Sequence, residues 1–343
     1  MILAEVIRSG FAESCHRGSV VVLGPDGQAV LRAGETRAAA FPRSANKPMQ
    51  AAGMLRAGLD LDGKLLALAA ASHSGEAFHV TGVREILAGA GLGEDALRCP
   101  PALPLDEREL RRVLREGGDE DRIHMNCSGK HAGMLAACAA AGWPTGSYLD
   151  ADHPLQREIR RTVEHLSGEA PGATGVDGCG APLLALSLTG LARAYGTMIR
   201  AEPGSAPRRV ADAMRAYPEW TSGTNRPENA LMEAVPGLLL KSGAEGVVAF
   251  ALPDGHAGAV KIADGAARAL PALAVALLRW LGADAADGTE GAALDRIATV
   301  PVLGGGRAVG QIRAVLPGEL PRPGRSRVRD VSPRPGGQEG SGG

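Results

Sequence analysis

Strand-like segments at both ends of the chain enclose a long helical middle, and this arrangement restricts the folds that the sequence can adopt. Near the amino terminus, residues 19–23 and 29–31 flank the turn Gly24-Pro25-Asp26-Gly27, as in a β-hairpin. Strand patterns return over residues 237–262 and 308–315. We therefore predict an α/β (α+β) fold, in which both termini complete one mainly antiparallel sheet and a helical region packs beside it.

Apolar residues recur at helical spacing between these strands. The 343 residues, 45% of them apolar, are enough for a large core. We expect one domain over residues 1–316, with its helical portion at about 78–235, followed by a disordered Pro/Gly-rich tail at 317–343 that cannot bury apolar surface. The predicted helices cover residues 45–57, 78–91, 106–116, 130–141, 153–167, 182–194, 207–216 and 268–282.

A Ser-x-x-Lys motif, Ser44 to Lys47, falls at the start of the first predicted helix. Residues three positions apart share one face of a helix, so the hydroxyl and the amine can hydrogen-bond. A lysine amine activates a serine only while it is neutral, and a second cation nearby keeps it so. An isolated Ser-x-x-Lys is most often a helix N-cap followed by a surface lysine, so the motif needs support from elsewhere.

That support comes from Lys241-Ser242-Gly243, which ends the apolar run 238–240 and opens an antiparallel hairpin with the turn Pro253-Asp254-Gly255 further along. Ser-x-x-Lys together with Lys-Thr-Gly is the signature of serine β-lactamases and penicillin-binding proteins, and Lys-Ser-Gly keeps the same functional groups. The second lysine is expected at a strand edge that faces the start of the first helix. The two motifs together indicate an acyl-transferring serine enzyme.

Two of the five cysteines lie in glycine-containing segments that suit a metal site, Cys127 and Cys179. Thiolates are strong zinc ligands. The spacing His-x-x-Cys-x-x-x-His would allow His124 and His131 to complete the shell. The alternative is that both cysteines are ordinary buried thiols that bind no metal. An odd number of cysteines in a large chain does not indicate a disulfide framework.

Four blocks, together with Lys241, resemble the bacterial L-asparaginase II family in order and spacing. The resemblance extends from about residue 5 to about residue 315 and is specific as a combination. It implies a fold similar to serine β-lactamases and glutaminases, and hydrolysis of the side-chain amide of L-asparagine. The blocks are residues 43–47, 71–74, 124–135 and 174–182.

The resemblance also implies roles for individual residues. Ser44, Lys47, Ser72 and Lys241 are the expected catalytic groups. Cys127, Lys130 and Cys179 are the expected ligands of one zinc ion per chain, an alternative to the histidine-containing shell; lysine ligates only as the neutral amine, whose pKa the metal must lower. Two further residues match family positions or suit the substrate: Asp177 for the α-ammonium, with a turn-forming role equally open, and Arg43 for the α-carboxylate. His73 is expected to be structural.

These assignments predict a mechanism. Lys47, kept neutral partly by the charge of Lys241, takes the proton of Ser44, which attacks the carboxamide. Backbone N–H groups at the helix start stabilise the oxyanion, ammonia leaves, and water releases aspartate. Ser72 either bridges Ser44 and the lysines or is itself the attacking hydroxyl; the sequence leaves both roles open. Zinc is expected to organise the substrate and the pocket.

Composition and charge limit the alternatives. A formal net charge of −1 excludes the strongly basic surface of a nucleic-acid binder and offers no patch for a membrane surface. The amino-terminal apolar run, residues 1–8, is too short for a signal peptide, so we expect a cytoplasmic protein, and as a further expectation a homodimer. Three rival functions stay open: a glutaminase, a β-lactamase or penicillin-binding hydrolase, and a non-catalytic zinc-binding protein.

Overall fold

A nine-stranded sheet forms the centre of the molecule in the computed structural model, which describes residues 1–283, 289–316 and 329–330. The order of its main path is β10-β11-β1-β2-β9-β8-β7, and β3 pairs with β2 beside it. Neighbouring strands on this path run antiparallel. Eight of its nine strands are β1 (Ile2–Arg8), β2 (Phe11–Leu23), β3 (Ala29–Ala33), β7 (Leu239–Gly243), β8 (Val247–Ala251), β9 (Ala257–Ile262), β10 (Val300–Gly304) and β11 (Arg307–Ala314); the ninth, β12, pairs with β3.

Both ends of the chain complete this sheet, as predicted. The first strand pairs with β11, where Ala4 lies opposite Ala314, and β2 pairs with β9, where Val20 lies opposite Val260. A separate small sheet has the order β4-β6-β5. Its strands are β4 (Ala39–Ala40), β5 (Ala173–Val176) and β6 (Pro182–Ser187). Arg329–Asp330 form a short strand, β12, parallel to β3; the rest of the predicted tail lies outside the described residues.

Helices cover both faces of the central sheet. They are α1 (Lys47–Arg56), α2 (Gly63–Ala69), α3 (Ala77–Gly89), α4 (Glu107–Arg115), α5 (Ser128–Ala141), α6 (Pro154–Ser167), α7 (Leu188–Arg200), α8 (Ala206–Ala216), α9 (Pro218–Thr221), α10 (Pro227–Ala234), α11 (Leu270–Trp280) and α12 (Thr289–Ala298). Among the residues with described placement, no helix is long and apolar enough to cross a membrane.

Two apolar cores lie on opposite faces of the sheet, because side chains alternate along each strand. In β2, Val21 and Leu23 belong to the larger core with α1, α5, α6 and α7. Their neighbours Val20 and Val22 belong to the second core, which α10 and α11 cover. The sheet is therefore buried on both faces, and its edge strand β7 meets the start of α1, where the Ser-x-x-Lys motif lies.

One predicted helix is wrong in part. Residues 182–194 were expected to be helical, yet residues 182–187 form β6 and the helix begins only at Leu188. The apolar run in this segment is compatible with either structure, and pairing with β5 and β4 decides for a strand. Ser187 ends the strand and caps α7, since its Oγ accepts the Gly190 N–H at 2.9 Å.

Candidate active site

The Ser-x-x-Lys motif spans the junction between a short 3-10 helix, Arg43–Asn46, and α1. Arg43 has a positive φ of 51°, a backbone conformation that costs a non-glycine residue about 1 kcal/mol. This turn leaves Ser44 half-buried while Lys47, one helical turn later, is only 1% exposed. Strained backbone of this kind is typical of functional sites, where surrounding packing holds it in place.

The edge of β7 lies directly against this turn. A Cβ atom on Gly243 would overlap the carbonyl oxygen of Pro42 and lie 3.2 Å from the backbone nitrogen of Ser44. Only glycine allows so close an approach of two backbones. The packing brings the lysine of Lys241-Ser242-Gly243 to the cavity that holds Ser44, as the sequence predicted.

The two serines and the second lysine open into one cavity of about 1060 Å³. Ser44, Ser72 and Lys241 lie at its polar end, and apolar side chains of α10 and α11 line much of the remainder. Ser72 lies in the loop after α2, where its N–H donates to Thr221 O at 3.1 Å. Three of the four residues that the sequence assigned to catalysis, Ser44, Ser72 and Lys241, thus line one cavity. The fourth, Lys47, lies next to them and hydrogen-bonds to Ser72.

Lys47 has three acceptors for its amine. Its Nζ lies 2.6 Å from Ala71 O, 2.8 Å from Ser72 Oγ and 3.0 Å from Cys127 Sγ. An ammonium group has three N–H donors and no acceptor, so this set of contacts is the one that satisfies the charged form. Its serine partner is Ser72, whereas the sequence had paired it with Ser44.

Lys241 has a different environment, although it is also only 1% exposed. Burial, reinforced by the positive charge of Lys47 and opposed by Glu228, lowers the pKa of Lys241 to about 7. Within the described part of the chain its amine donates one hydrogen bond, to Ser242 O at 3.0 Å. The lowered pKa makes Lys241 a candidate for the amine that is neutral near pH 7, a role that the sequence assigned to Lys47.

A cluster of cysteine and lysine side chains lies next to the cavity. Lys47 connects the cluster to the cavity, because its amine contacts both Cys127 and Ser72. Cys127 Sγ accepts from Lys47, and Lys130 Nζ donates to Cys179 Sγ at 3.1 Å. A hydrogen bond from Cys127, together with the charge of Lys130, holds the pKa of Cys179 far below its usual range. Burial disfavours the charged form of Lys130 and by itself would lower its pKa. The neighbouring Cys179 and Cys127 outweigh this effect and raise the pKa of Lys130 above its ordinary value.

The histidine-containing metal shell does not form among the described residues, where no three His, Cys, Asp or Glu side chains make a group that could hold a metal ion. His124 Nδ1 pairs with Asp121 Oδ1 at 2.8 Å and faces a different cavity. His131 Nδ1 contacts Tyr148 Oη at 2.7 Å, and its ring also interacts with Cys179, whose pKa it helps to lower. Two thiols and an amine, Cys127, Cys179 and Lys130, remain together as a donor set whose chemistry fits zinc.

Arg43 and Asp177 contact each other. Arg43 Nε donates to Asp177 Oδ1 at 2.8 Å, and the Arg43 side chain is 25% exposed. Glu245 Oε1 lies 3.8 Å from Arg43 Nη1. Neither Arg43 nor Asp177 is among the described residues that line the cavity with Ser44. The two side chains that the sequence assigned to substrate therefore neutralise each other at its margin.

His73 has a structural role. Ser128 Oγ donates to Ile123 O at 2.7 Å, so His73 Nε2, 2.8 Å away, must donate to Ser128. His73 Nδ1 accepts from the Gly75 N–H at 3.1 Å. Both ring nitrogens are used by the fold, and this histidine is not available as a base.

Among the polar residues that line the cavity without having been identified from the sequence, Asn126 and Glu228 contact residues of the site. Asn126 Oδ1 lies 3.2 Å from Cys127 Sγ and so joins the cavity to the cysteine cluster. It lay inside one of the recognised blocks, which was the available signal. No signal in the sequence pointed to Glu228, because an acid in the first turn of a helix is common for electrostatic reasons alone.

Comparison with known proteins identifies the family. The family model described as L-asparaginase II matches residues 4–314. Among solved structures, the chain is similar to a β-lactamase from Mycobacterium bovis, with 19% identity over 76% of this chain and 94% of that one and a TM-score of 0.40. No curated protein gave a significant match.

Two further solved structures are similar. One is Mglu in its native form, with 16% identity over 83% of this chain and 70% of that one and a TM-score of 0.43. The other is EstCE1, a hydrolase with promiscuous acyltransferase activity, with 14% identity over 73% of this chain and 90% of that one and a TM-score of 0.39. Because all three TM-scores fall below 0.5, these likenesses carry no weight for function, and the family match is the comparison that does.

Proposed function

The chain belongs to the L-asparaginase II family, and we propose that it hydrolyses the side-chain amide of L-asparagine to L-aspartate and ammonia through a serine acyl-enzyme. One observation carries the proposal: Ser44, Ser72 and Lys241 share a cavity, and Lys47 Nζ lies 2.8 Å from Ser72 Oγ. A binding module has no use for two serines and two buried lysines in one cleft, whereas nucleophilic catalysis requires such groups.

Ser44 is the attacking hydroxyl in this proposal. Lys241 takes its proton, since a lysine with a pKa near 7 is neutral in a large fraction of molecules at physiological pH. The Ser44 oxygen then bonds to the amide carbon, and backbone N–H groups at the helix start, including that of Ser44, stabilise the oxyanion. Lys241 returns the proton to the leaving nitrogen, which departs as ammonia.

Water completes the cycle. Lys241, neutral again, accepts a proton from the water that attacks the ester, and the proton returns to Ser44 as aspartate leaves. Ser72 Oγ accepts from Lys47, so its own proton is free to hydrogen-bond to the substrate or to the leaving nitrogen. Lys47 acts as a fixed positive charge that favours the neutral form of Lys241.

Substrate orientation is assigned to the margin of the cavity. Arg43 is proposed to bind the α-carboxylate, and Asp177 holds its guanidinium in place at 2.8 Å. Zinc, held by Cys127, Lys130 and Cys179, would supply a positive charge that organises the pocket. No step above depends on it, because Lys241 and Ser44 carry the proton transfer and the bond formation.

Ammonia release tests the proposal directly. The wild-type protein is expected to release ammonia from L-asparagine faster than from L-glutamine, and to leave a chromogenic β-lactam intact. Ser44→Ala should reduce asparagine hydrolysis by on the order of a thousandfold or more with little change in thermal stability. Its matched control is Ser72→Ala, for which mass spectrometry of a trapped acyl adduct should still find the label on Ser44.

Other outcomes would redirect the assignment. An adduct on Ser72 in the wild-type protein would reverse the roles of the two serines. Preferred hydrolysis of L-glutamine would make the protein a glutaminase, and turnover of the β-lactam would favour the penicillin-recognising class. Absence of hydrolysis on all three substrates would leave a zinc-binding protein as the better interpretation.

A further inference from the structure

Glu228 is a buried carboxylate in the substrate cavity that the mechanism does not use. It lies in the first turn of α10, and its side chain is 9% exposed. It lines the same cavity as Ser44, Ser72 and Lys241. Carboxylates are rarely buried without a partner, so each oxygen of this one requires an account.

One oxygen has a partner and the other lacks one. Glu228 Oε1 accepts a hydrogen bond from Ser242 Oγ, the hydroxyl of the Lys-Ser-Gly motif. Glu228 Oε2 is buried and has no hydrogen-bond partner among the described residues. The nearest cation to it is Arg226, with Nε 3.7 Å away, outside hydrogen-bonding distance. A buried acceptor left unpaired is costly unless a ligand supplies the missing donor.

The charge at this position is negative. Burial opposes ionisation of Glu228, but Lys241, Arg226 and the Ser242 hydroxyl together lower its pKa below the ordinary value. When Lys241 is neutral, as the proposed mechanism requires, the carboxylate loses its strongest positive neighbour. Arg226, with Nε 3.7 Å away and outside hydrogen-bonding distance, is then the positive charge that remains near this carboxylate, so a cationic group on the ligand would be attracted to it.

We propose that Glu228 forms the subsite for the α-ammonium group of the substrate, an inference that rests on the proposed amidohydrolase function. An α-amino acid brings three N–H donors and one positive charge, which complete the hydrogen bonding of Oε2 and the charge balance together. Asp177, the acid that the sequence offered for this role beside an equally open turn-forming role, already accepts from Arg43.

The same contact bears on specificity. The Ser242 hydroxyl donates to Glu228 and is thereby withheld from an anionic group of the substrate. A ligand carboxylate placed at this end of the cavity would lie close to the carboxylate of Glu228 and be repelled by it. The subsite thus selects for ligands with an ammonium group and against ligands that present an acid at Ser242.

Substrate analogues test the proposal. The compound 3-carbamoylpropanoate keeps the amide and the carboxylate of asparagine and replaces the ammonium by hydrogen. In the wild-type protein, kcat/KM for L-asparagine should exceed that for the analogue by on the order of 30-fold or more, as expected for a buried charged hydrogen bond. In Glu228→Gln, kcat/KM for asparagine should fall by a similar factor, mainly through KM. Because Glu228 also raises the pKa of Lys241, the two substrates are compared at a pH above the Lys241 limb, where kcat/KM for the analogue should fall far less than that for asparagine.

The chain offers a matched control on the same helix. Glu233 also lines the cavity, and its carboxylate accepts from Asn229 Nδ2 at 3.0 Å, so it has a partner already. Glu233→Gln makes the same charge change and should leave both substrates unaffected. Glu228→Asp, which restores the charge, should recover part of the preference for asparagine. Thermal melting of each variant verifies that it is folded.

Binding measurements separate failure of this inference from failure of the proposed function. Calorimetric titration with L-aspartate and with succinate does not depend on turnover, and Glu228→Gln should lose affinity for aspartate only. Equal losses for both ligands, or no loss for either, would overturn the subsite and leave Glu228 a structural partner of Ser242. A wild-type protein that binds aspartate better than succinate but releases no ammonia would contradict the proposed reaction alone.

Discussion

Three lysines with 1% exposure each, Lys47, Lys130 and Lys241, dominate the chemistry of this molecule at the scale of single residues. A buried lysine either pairs with acceptors or loses its proton. Lys47 has three hydrogen-bond acceptors, and Lys130 contacts a cysteine with a strongly lowered pKa. Burial, with help from the charges of Lys47 and Arg226 and against the opposing charge of Glu228, lowers the pKa of Lys241 to about 7.

The pH dependence of activity follows from this distribution. The rate should rise with pH through a limb near pH 7, because the base is the deprotonated form of a group whose pKa is lowered to about 7. Lys241→Met should remove that limb and reduce kcat strongly. A pH–rate profile of both proteins measures the change, and Lys64→Met, which alters an exposed lysine, is the control.

The opposite assignment of the lysines makes a different prediction. If Lys47 were the base and Lys241 its cationic neighbour, Lys241→Met would keep a limb and move it upward, toward the reference lysine pKa of about 10.4. Retention of the limb near pH 7 in the variant would exclude Lys241 as the titrating group.

The sequence identified the site residues that local geometry brings together. The Ser-x-x-Lys spacing placed Ser44 and Lys47 at the junction of the 3-10 helix and α1, although the hydrogen bond of Lys47 is to Ser72 and not to Ser44 as the spacing predicted. It could not assign the charge state of either lysine, since that depends on burial and on Cys127, 80 positions along the chain from Lys47. Glu228 was missed for the same reason: its contact with Ser242 joins a helix to a strand edge, and no local pattern encodes it.

At the scale of elements, the site depends on how closely β7 approaches the 3-10 helix. Gly243→Ala should displace the strand from Ser44, because the added methyl group overlaps Pro42 O. Overpacking of this kind costs about 1–3 kcal/mol, and the displacement should lower kcat/KM more than it lowers the melting temperature. Activity assays and thermal melting measure the two effects.

Gly89→Ala is the matched control for that variant. Gly89 ends α3, and a Cβ there has open space around it. Alanine also favours helix more than glycine does, so this variant should be as stable as the wild type and equally active. Full activity in Gly243→Ala would show that the close approach of β7 is not needed for catalysis.

The elements themselves were largely predictable where the pattern was long. Helices α5 and α6 begin within about two residues of their predicted starts, since their apolar periodicity is sustained over several turns. The error at 182–194 arose in a short apolar run that fits a buried strand equally well, and pairing with the neighbouring strand at residues 173–176 and with the distant residues 39–40 decided it. The pairing with residues 39–40 leaves no local trace.

At the scale of the whole molecule, the cysteine cluster lies between two parts of the fold. Cys127 precedes α5 in the helical region, whereas Cys179 lies in the turn between β5 and β6 of the small sheet. A zinc ion bound by both, with Lys130, would tie this sheet to the helices. A metal that binds only the folded state raises the free energy of unfolding, and the increase grows with the logarithm of the ratio of free metal concentration to Kd.

Metal content and stability should therefore change together. Protein purified without added metal is expected to contain about one zinc per chain by elemental analysis, and Cys179→Ser should lose it. Removal of zinc by a chelator should lower the melting temperature of the wild type by several degrees and leave that of Cys179→Ser unchanged. His124→Ala should keep the metal, because His124 pairs with Asp121 away from the cluster.

His131→Ala distinguishes the remaining alternatives for the shell. Retention of zinc is expected if Cys127, Lys130 and Cys179 with water suffice. Loss of zinc in this variant would make His131, which interacts with Cys179, a fourth ligand. Retention of zinc in the Cys127→Ala, Cys179→Ala double variant would exclude the site altogether. The Ser44 and Lys241 chemistry would then stand without it, since neither side chain is needed to hold the metal.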